Sequence, residues 1–292
     1  MDPTEERIAS HYATDRLLER IDAGLAALGH DPQNISQEAL KPVDEFHSAG
    51  FASTRHLLDR LYGTPVETAL DIGSGIGGPA RSMAARLGCR VEGVDLTPAF
   101  VETARELSRR TGMDGVTSFC EGSATALPQA DTSVDLAWML HVGMNVADKR
   151  AIFAEAARVL RPMGHFVVFD LVLGDDPAPP DFPVPWASGR GQSHVAAAQD
   201  YRAAAAEAGF AQLSEADRGA FVLETHRDAL AEIDRNGPPP LGLHIVLGPD
   251  AREKIGNFVS ALEAGRITPV EMVFRKEHHG VRPSASPAAG AA

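Results

Sequence analysis

The stretch VETALDIGSGIGGPA, residues 66–80, decides the fold. Its first part, Val66–Asp71, is a short apolar run that predicts a strand. Glycines then follow at the spacing G-x-G-x-x-G, and Pro79 suits the first turn of a helix that runs to Leu87, because the N–H that proline lacks would have no partner there. Glycines in such a turn let backbone N–H groups approach a ligand closely, so the stretch predicts a strand, a ligand-binding turn and a helix.

Strands and helices alternate beyond this stretch. Further strands are predicted at Arg90–Asp95, Val116–Cys120, Val134–Leu140, His165–Val172 and Pro269–Phe274, and helices at Pro98–Arg110 and Asp148–Leu160. Strands that alternate with helices of about ten or more residues indicate a parallel sheet with helices on both faces. The predicted fold class is therefore α/β.

The segments outside this alternation predict a lid, a cap and a tail. Apolar residues at three- and four-residue spacing predict one helix over residues 5–30, which a polar loop and a helix over 52–62 follow. After Leu173 come a loop rich in Pro, Gly and Asp and helices over 199–208, 220–235 and 249–265; the last two complete a cap or form a contact in a homodimer. The predicted division is an N-terminal helical lid at 1–65, a main domain at 66–277 with cap insertions at 174–195 and 219–265, and a disordered tail at 278–292.

The composition makes some classes of partner unfavourable. Of 292 residues 44% are apolar and 23% charged, which is ordinary for a globular chain, and the formal net charge is −13. An acidic surface repels nucleic-acid phosphates and anionic lipid, so neither is expected as a partner. No run reaches the roughly 18 apolar residues of a membrane span, and the N-terminus lacks a signal-peptide segment, so a cytoplasmic protein is expected.

No metal site is expected either. Cys89 and Cys120 each lie in an apolar stretch, without neighbours at the spacing of metal ligands, and they suit a reducing compartment. The pair His278–His279 lies in the predicted tail.

The glycine turn by itself leaves the ligand open. Gly73, Gly75 and Gly78 suit a dinucleotide as readily as another nucleotide-like ligand, and Asp95, at the end of the second strand, can accept hydrogen bonds from ribose hydroxyls in either case. Asp71 separates the possibilities, because a dinucleotide would place its pyrophosphate over this carboxylate. Two like charges about 4 Å apart cost about 1–4 kcal/mol, and a ligand with an ammonium group would gain a similar amount. S-adenosylmethionine (SAM) has a ribose and an ammonium group and no phosphate; the alternative is that Asp71 only caps the loop.

The chain resembles the class I SAM-dependent methyltransferases, and the small-molecule members close to sarcosine/dimethylglycine and sterol-type methyltransferases look most similar. The resemblance covers about residues 66–175. It rests on the order and spacing of ALDIGSGIGGPAR (69–81), GVDLT (93–97), EGSATALP (121–128), VDLAW (134–138) and RVLRPMG (158–164). It implies a Rossmann-like seven-stranded sheet whose last strand, here Pro269–Phe274, is antiparallel, with SAM as the cofactor.

The same resemblance implies cofactor-binding residues. Those that hold the methionine part of SAM are Asp71, Gly73, Ser74 and Gly75, and those around the ribose and adenine are Asp95, Leu96, Ser123, Ala124 and Leu140. Many relatives carry Asp where this chain has Ser123, and that carboxylate accepts from the adenine amino group. A hydroxyl accepts more weakly than a carboxylate, so the contribution of Ser123 is smaller.

The methyl acceptor is expected beyond the carboxyl ends of the strands, where open α/β sheets bind ligands. His141 follows the fourth strand and either orients the acceptor and takes its proton or is a structural histidine. His47 is the second candidate base. The other candidates for the pocket are Tyr12, Phe46, Met144 and Trp186, with core packing as the alternative for Tyr12 and a surface plug as the alternative for Trp186. Asn145 is interpreted as a cap of the helix that begins near Asp148.

The predicted function is transfer of the SAM methyl group to an N, O, C or S nucleophile of a small molecule. One alternative keeps the fold and replaces the cofactor, as in an NAD(P)-dependent oxidoreductase. Another keeps SAM and drops methyl transfer, as in a regulatory or cyclisation-type protein, because a fold does not determine chemistry.

Overall fold

Seven strands form a single mixed sheet at the centre of the computed structural model, which describes residues 3–12, 16–176 and 178–278. The strands are β1 (Thr68–Ile72), β2 (Arg90–Asp95), β3 (Thr117–Glu121), β4 (Val134–Leu140), β5 (Leu160–Leu173), β6 (Phe210–Asp217) and β7 (Ile267–Lys276). Their order in the sheet is β3-β2-β1-β4-β5-β7-β6. β7 runs antiparallel to both of its neighbours, which confirms the predicted fold class and its antiparallel last strand.

Of the described helices, four precede the first strand of the sheet, and the others connect its strands. They are α1 (Pro3–Tyr12), α2 (Leu17–Ala27), α3 (Gln37–Asp44), α4 (Gly50–Leu61), α5 (Gly78–Leu87), α6 (Pro98–Arg110), α7 (Lys149–Val159), α8 (Ala198–Glu207), α9 (Gly219–Asn236), α10 (His244–Leu247) and α11 (Ala251–Glu263). None of the helices in the described part of the chain combines the length and the apolar character that crossing a bilayer requires.

The core lies on both faces of the sheet, which explains the nearly continuous apolar strands. Every residue of β4 except Asp135 is buried, as parallel strands covered on both faces require. On one face Phe153 packs edge-to-face against Phe166 and Phe274, with ring centroids 5.2 and 5.4 Å apart. The rigid sheet therefore fixes the positions at which its strands end.

The carboxyl ends of β1, β2 and β4 meet at the point where the strand order reverses. β1 pairs with β2 on one side and β4 on the other, so the connections that leave these strands diverge to opposite faces. In open α/β sheets this divergence leaves a crevice in which ligands bind. Asp71, Asp95 and His141 lie in or directly after these strand ends.

The N-terminal region differs from the predicted single helix over residues 5–30. The structure has two helices there, α1 and α2, and Arg16 adopts a left-handed conformation (φ 56°) directly before α2. The polar loop predicted after them contains α3, which the sequence did not indicate because Pro42 lies inside it. A buried ion pair between Asp44 and Arg81, 2.9 Å apart, fastens the end of α3 to α5.

The strand β6 was also missing from the sequence prediction. Its sequence, FAQLSEAD, alternates weakly, and the strand lies at the edge of the sheet, where one side faces solvent. The helices α9, α10 and α11, which we call the cap helices, lie between β6 and β7 in the chain. The tail predicted at 278–292 falls outside the described residues from residue 279 onward.

Candidate functional site

A cavity of about 830 Å³ opens where β1, β2 and β4 end. Its walls come from the N-terminal helices, the glycine turn, the loop after β4 and the cap helices α9 to α11. The volume lies in the range of ligand sites that enclose a whole small molecule. All the predicted cofactor and acceptor residues line this cavity, namely Tyr12, Phe46, His47, Asp71, Gly73, Ser74, Gly75, Asp95, Leu96, Ser123, Ala124, Leu140, His141, Met144 and Trp186.

The glycine turn is held close to β2 by its backbone. The amides of Gly73 and Ser74 donate to the carbonyl of Val94 at 2.7 and 3.0 Å, and Gly73 has φ 74°. A Cβ on Gly73 would lie 2.2 Å from a methyl carbon of Val142, so no larger residue fits there. Gly75 also has a positive φ (52°), but its Cβ position is open, which leaves backbone exposed toward the cavity.

Asp95 connects the glycine turn to the start of α6. One carboxylate oxygen accepts from the amide of Gly75 at 2.8 Å and the other from the amide of Thr97 at 2.9 Å. Burial raises the pKa of Asp95 above its usual value, and the bonds from Thr97 and Gly75 oppose that shift. Each oxygen keeps a second lone pair, so an oriented carboxylate lines the cavity and can accept two hydroxyl hydrogen bonds.

Asp71 is a buried carboxyl group with an unsatisfied oxygen. Its side chain is 1% exposed, and within the described part of the chain its Oδ2 has no hydrogen-bond partner. Burial, followed by repulsion from Asp95 and Glu45, raises the pKa of Asp71 to about 8. A cationic group bound beside Asp71 would supply the missing partner, which is the role expected of the ammonium of SAM. The hydroxyl of Ser74 is likewise buried with no described partner.

The raised pKa gives a test of Asp71 in the free protein. The folded chain keeps a proton on Asp71 between the usual pKa near 3.8 and about 8, whereas the unfolded chain loses it, so this group lowers stability as the pH rises through that window. Asp71→Asn removes the effect. Between pH 5 and pH 8 we expect the free energy of unfolding of the variant to rise relative to that of the unmodified chain by up to about 4 kcal/mol, since each of the three pH units is worth about 1.4 kcal/mol.

Urea denaturation of the ligand-free protein at several pH values measures this difference. Glu121→Gln is the matched control, because Glu121 ends strand β3 of the same sheet, two strands away from β1, and is exposed. It shows what the loss of a carboxylate outside the cavity does to the same measurement. A difference for Asp71→Asn that does not change with pH would mean that Asp71 titrates normally.

The residues expected around adenine line the cavity beside Asp95. Leu96 and Ala124 are half-buried there. The hydroxyl of Ser123 lies 2.8 Å from that of Thr125 and accepts from the Thr125 amide at 3.1 Å. These bonds belong to a local turn, so Ser123 reaches the cavity with part of its hydrogen-bonding capacity already used.

His141 leaves the sheet in an unusual backbone conformation. It has φ 56°, which costs a non-glycine residue about 1–2 kcal/mol, and its amide donates to the carbonyl of Phe169 at 2.7 Å. The ring packs on Phe169 at 4.9 Å, and among the described residues no partner is found for the buried Nε2. Burial, with smaller contributions from His47 and His226, holds the pKa of His141 well below 6.5. The ring is therefore neutral at physiological pH and can accept a proton.

His47 is held differently, because its Nε2 already has a partner. That nitrogen lies 3.1 Å from the hydroxyl oxygen of Thr54, and the same hydroxyl donates to Glu45 at 2.7 Å. Since the Thr54 proton goes to Glu45, His47 must donate to the Thr54 oxygen. Burial lowers the pKa of His47 to about 4. Its ring centroid lies 6.3 Å from that of His141, so the two candidate bases share one side of the cavity.

Asn145 does not cap the helix, contrary to the sequence interpretation. The N-cap of α7 is Asp148, whose carboxylate accepts from the Ala151 amide at 2.9 Å. Asn145 is 5% exposed, accepts from the hydroxyl of Tyr12 at 2.8 Å and donates to the carbonyl of Trp186 at 2.7 Å. It therefore joins α1 to the loop at 181–195.

Trp186 and Lys149 hold the loops that form one wall of the cavity, Trp186 as a lining residue and Lys149 from outside the lining. The indole of Trp186 is 2% exposed and donates to the hydroxyl of Ser193 at 3.0 Å. Lys149 is buried and donates to the carbonyls of Gly143 and His194 at 2.7 and 2.8 Å, which holds the segment that carries Met144. No local sequence pattern indicates this role for Lys149.

The cap contributes residues that were not anticipated from the sequence. Thr225 and His226 of α9 line the cavity, and the ring of His226 lies 5.1 Å from that of Phe258 in α11. Their position depends on how α9 folds back over the sheet, which no local pattern encodes. The spacing of the apolar residues at 222, 230 and 233 is the one local pattern that indicates that a face of α9 points toward the interior.

Comparison with known proteins identifies the family. A family model described as a methyltransferase domain matches residues 70–168. An O-methyltransferase of Pyrenophora dematioidea is 31% identical over 188 residues, which are 63% of this chain and 67% of that protein. The methyltransferase GfsG of Streptomyces halstedii is 34% identical over 131 residues, or 45% of this chain and 47% of that protein.

The chain belongs to the class I SAM-dependent methyltransferases. It spans about half the length of several of the curated relatives it matches. Among solved structures, geranyl diphosphate C-methyltransferase from Streptomyces coelicolor A3(2) superimposes with a TM-score of 0.68 at 20% identity, over 94% of this chain and 98% of that one. That likeness concerns the fold alone.

Proposed function

We propose that this chain binds SAM between Asp71 and Asp95 and transfers its methyl group to a small-molecule acceptor held under the cap. The unsatisfied carboxylate oxygen of Asp71 carries the proposal, since a cationic group such as the ammonium of SAM would supply its missing partner, whereas the pyrophosphate of a dinucleotide would not. Asp95 would receive the ribose hydroxyls, and Leu96, Ala124 and Leu140 would surround the nucleoside. The match of residues 70–168 to a methyltransferase domain supports this proposal.

SAM supplies, when bound, a methyl group on a sulfonium, which is already a strong methyl donor. The residues of the chain then have to align the acceptor and exclude water, and good alignment can provide about 7–11 kcal/mol of the barrier. The helix α1 covers this part of the cavity, because Tyr12 bonds to Asn145 and His11 bonds to Ser188 at 2.9 Å. For an acceptor that loses a proton, His141 is the proposed base, since its Nε2 is uncommitted and its ring is neutral.

The choice of cofactor can be tested directly by thermal unfolding. SAM and its product S-adenosylhomocysteine should raise the melting temperature by roughly 5–10 °C at 100 times the dissociation constant, whereas NADH should leave it unchanged. Stabilisation by NADH alone would favour the oxidoreductase alternative. Release of S-adenosylhomocysteine in the presence of an acceptor, followed by mass spectrometry, then separates methyl transfer from SAM binding without transfer.

A further inference from the structure

The half of the cavity away from Asp71 and Asp95 is walled by one face of each cap helix. On α9 the lining residues include His226, Leu230 and Ile233, and on α11 they include Ala251, Ile255 and Phe258. Spacings of three and four residues place each set on a single helix face. Val222 is the one residue of α9 that is buried, and Leu230 also packs against the core, but Leu230 and Ile233 stay half-buried where they line the cavity.

The charges around the cavity are distributed unevenly. The charged residues among its described lining are Glu5, Asp44, Asp71, Asp95, Asp148 and Arg252. The guanidinium of Arg252 lies 2.6 Å from the carboxylate of Asp234, and its side chain is 69% exposed. The lining thus offers an anionic acceptor no free cation within the described residues. The carboxylates Asp71 and Asp95 belong to the proposed cofactor half. Asp44 pairs with Arg81, Asp148 caps α7 and Glu5 lies on α1, so none of these carboxylates stands on the faces of α9 and α11.

The polar groups of the cap half are neutral and accept hydrogen bonds. The Nδ1 of His226 lies 2.9 Å from the carbonyl of Val222, so the proton is on Nδ1 and Nε2 keeps its lone pair. Thr225 already donates its hydroxyl proton to the carbonyl of Phe221 at 2.9 Å, which leaves its oxygen as an acceptor. Burial lowers the pKa of His226 and of His141, so neither ring is expected to carry a charge.

We infer that the acceptor is an uncharged, mainly apolar molecule with at least one hydroxyl group, and that each O–H donates to one of the acceptors His141, His226 and Thr225. This inference rests on the proposed function and specifies its substrate class. The apolar faces of α9 and α11 would bury the carbon skeleton, and the acceptor-type groups would bind the O–H. A phosphate ester would meet hydrogen-bond acceptors and no unpaired cation on the faces of α9 and α11, and an ammonium would be buried there without a counter-charge.

Matched probes test this inference on the full chain. One series of probes has a naphthyl skeleton and the other a geranyl skeleton, and each series consists of the alcohol, the phosphate ester and the primary amine. Every probe is titrated into the protein by calorimetry. The titrations are repeated with and without S-adenosylhomocysteine and with and without Mg²⁺. Each alcohol is expected to bind at least about tenfold more tightly than its charged counterparts. Equal or tighter binding of a phosphate or an amine, or binding of no probe in either series, would overturn the inference.

A lysine introduced on α9 or α11 should reverse the order in which the alcohols and the phosphate esters bind. Ile233→Lys and Ile255→Lys, made separately, place a cation on α9 or α11, and in each the phosphate esters should gain at least about tenfold over the alcohols. Two helices are used so that a folding defect in one variant leaves the other. Leu213→Lys on the exposed edge strand β6 is the control and should keep the original order. Binding of S-adenosylhomocysteine alone reports on the proposed function separately, because it does not depend on which probe the cap accepts.

Discussion

Asp95→Ala is expected to weaken SAM binding on the order of 100- to 1,000-fold while the chain stays folded. The substitution removes the oriented carboxylate that would accept both ribose hydroxyls, and hydrogen bonds to a charged group contribute about 1.5–3 kcal/mol each. It also leaves the amides of Gly75 and Thr97 without their partner, so the glycine turn keeps only its backbone hydrogen bonds to Val94 of β2. The sheet itself does not depend on this side chain.

Adenosine separates the roles of the two carboxylates. Asp95→Ala should lose affinity for adenosine and for SAM alike, because both carry the ribose. Asp71→Asn should lose affinity for SAM but keep that for adenosine, which has no ammonium group. Calorimetric titration measures both, with circular dichroism to check folding and Glu121→Ala as the control on an exposed carboxylate at the end of β3. Unchanged SAM affinity in Asp95→Ala would refute the assignment of the ribose site.

The residues that line the proposed cofactor half of the cavity could be predicted from the sequence because their signals are local. Short and distinct apolar runs mark the strands that contain or precede Gly73, Gly75 and Asp95. A strand end that is followed by glycine predicts a tight turn. Asp71 could be singled out by chemistry, since a carboxylate at a phosphate position is unfavourable. The structure adds that its oxygen is unsatisfied, which depends on the packing of several elements.

The residues that line the cap half of the cavity could be predicted only in part, because contacts between distant parts of the chain determine which side chains reach it. Asn145 shows the difficulty: asparagine before a helix is a typical cap, but here bonds to Tyr12 and Trp186, far away in the chain, prevail. The same holds for His226, whose place depends on how α9 folds over the sheet. The helix α3 and the strand β6 were missed for a different reason, since an internal proline and an edge position weaken their local patterns.

His141→Asn is expected to lower kcat about 100-fold and to change SAM affinity by less than about threefold, because general base catalysis contributes at least about 100-fold and His141 is not a SAM-binding residue in this proposal. Asparagine is the suitable replacement, since it tolerates the left-handed conformation at φ 56° and keeps a polar group while removing the basic nitrogen. The rate is measured as S-adenosylhomocysteine release with the acceptor that the probe series identifies.

The pH dependence of kcat distinguishes a base from a positioning residue. Burial is the main cause that holds the pKa of His141 below 6.5. His47, in the loop between α3 and α4, and His226, on α9, face the ring of His141 and lower its pKa further. The unmodified enzyme should therefore keep its kcat as the pH falls to 6.5 and lose it only at lower pH, where protonated His141 can no longer take the proton of the acceptor hydroxyl. In His141→Asn this acid limb should disappear together with most of the rate. His165→Asn is the control, because His165 lies in β5 and does not line the cavity. An acid limb that persists in His141→Asn would assign the proton transfer to another group, with His47 the next to be replaced.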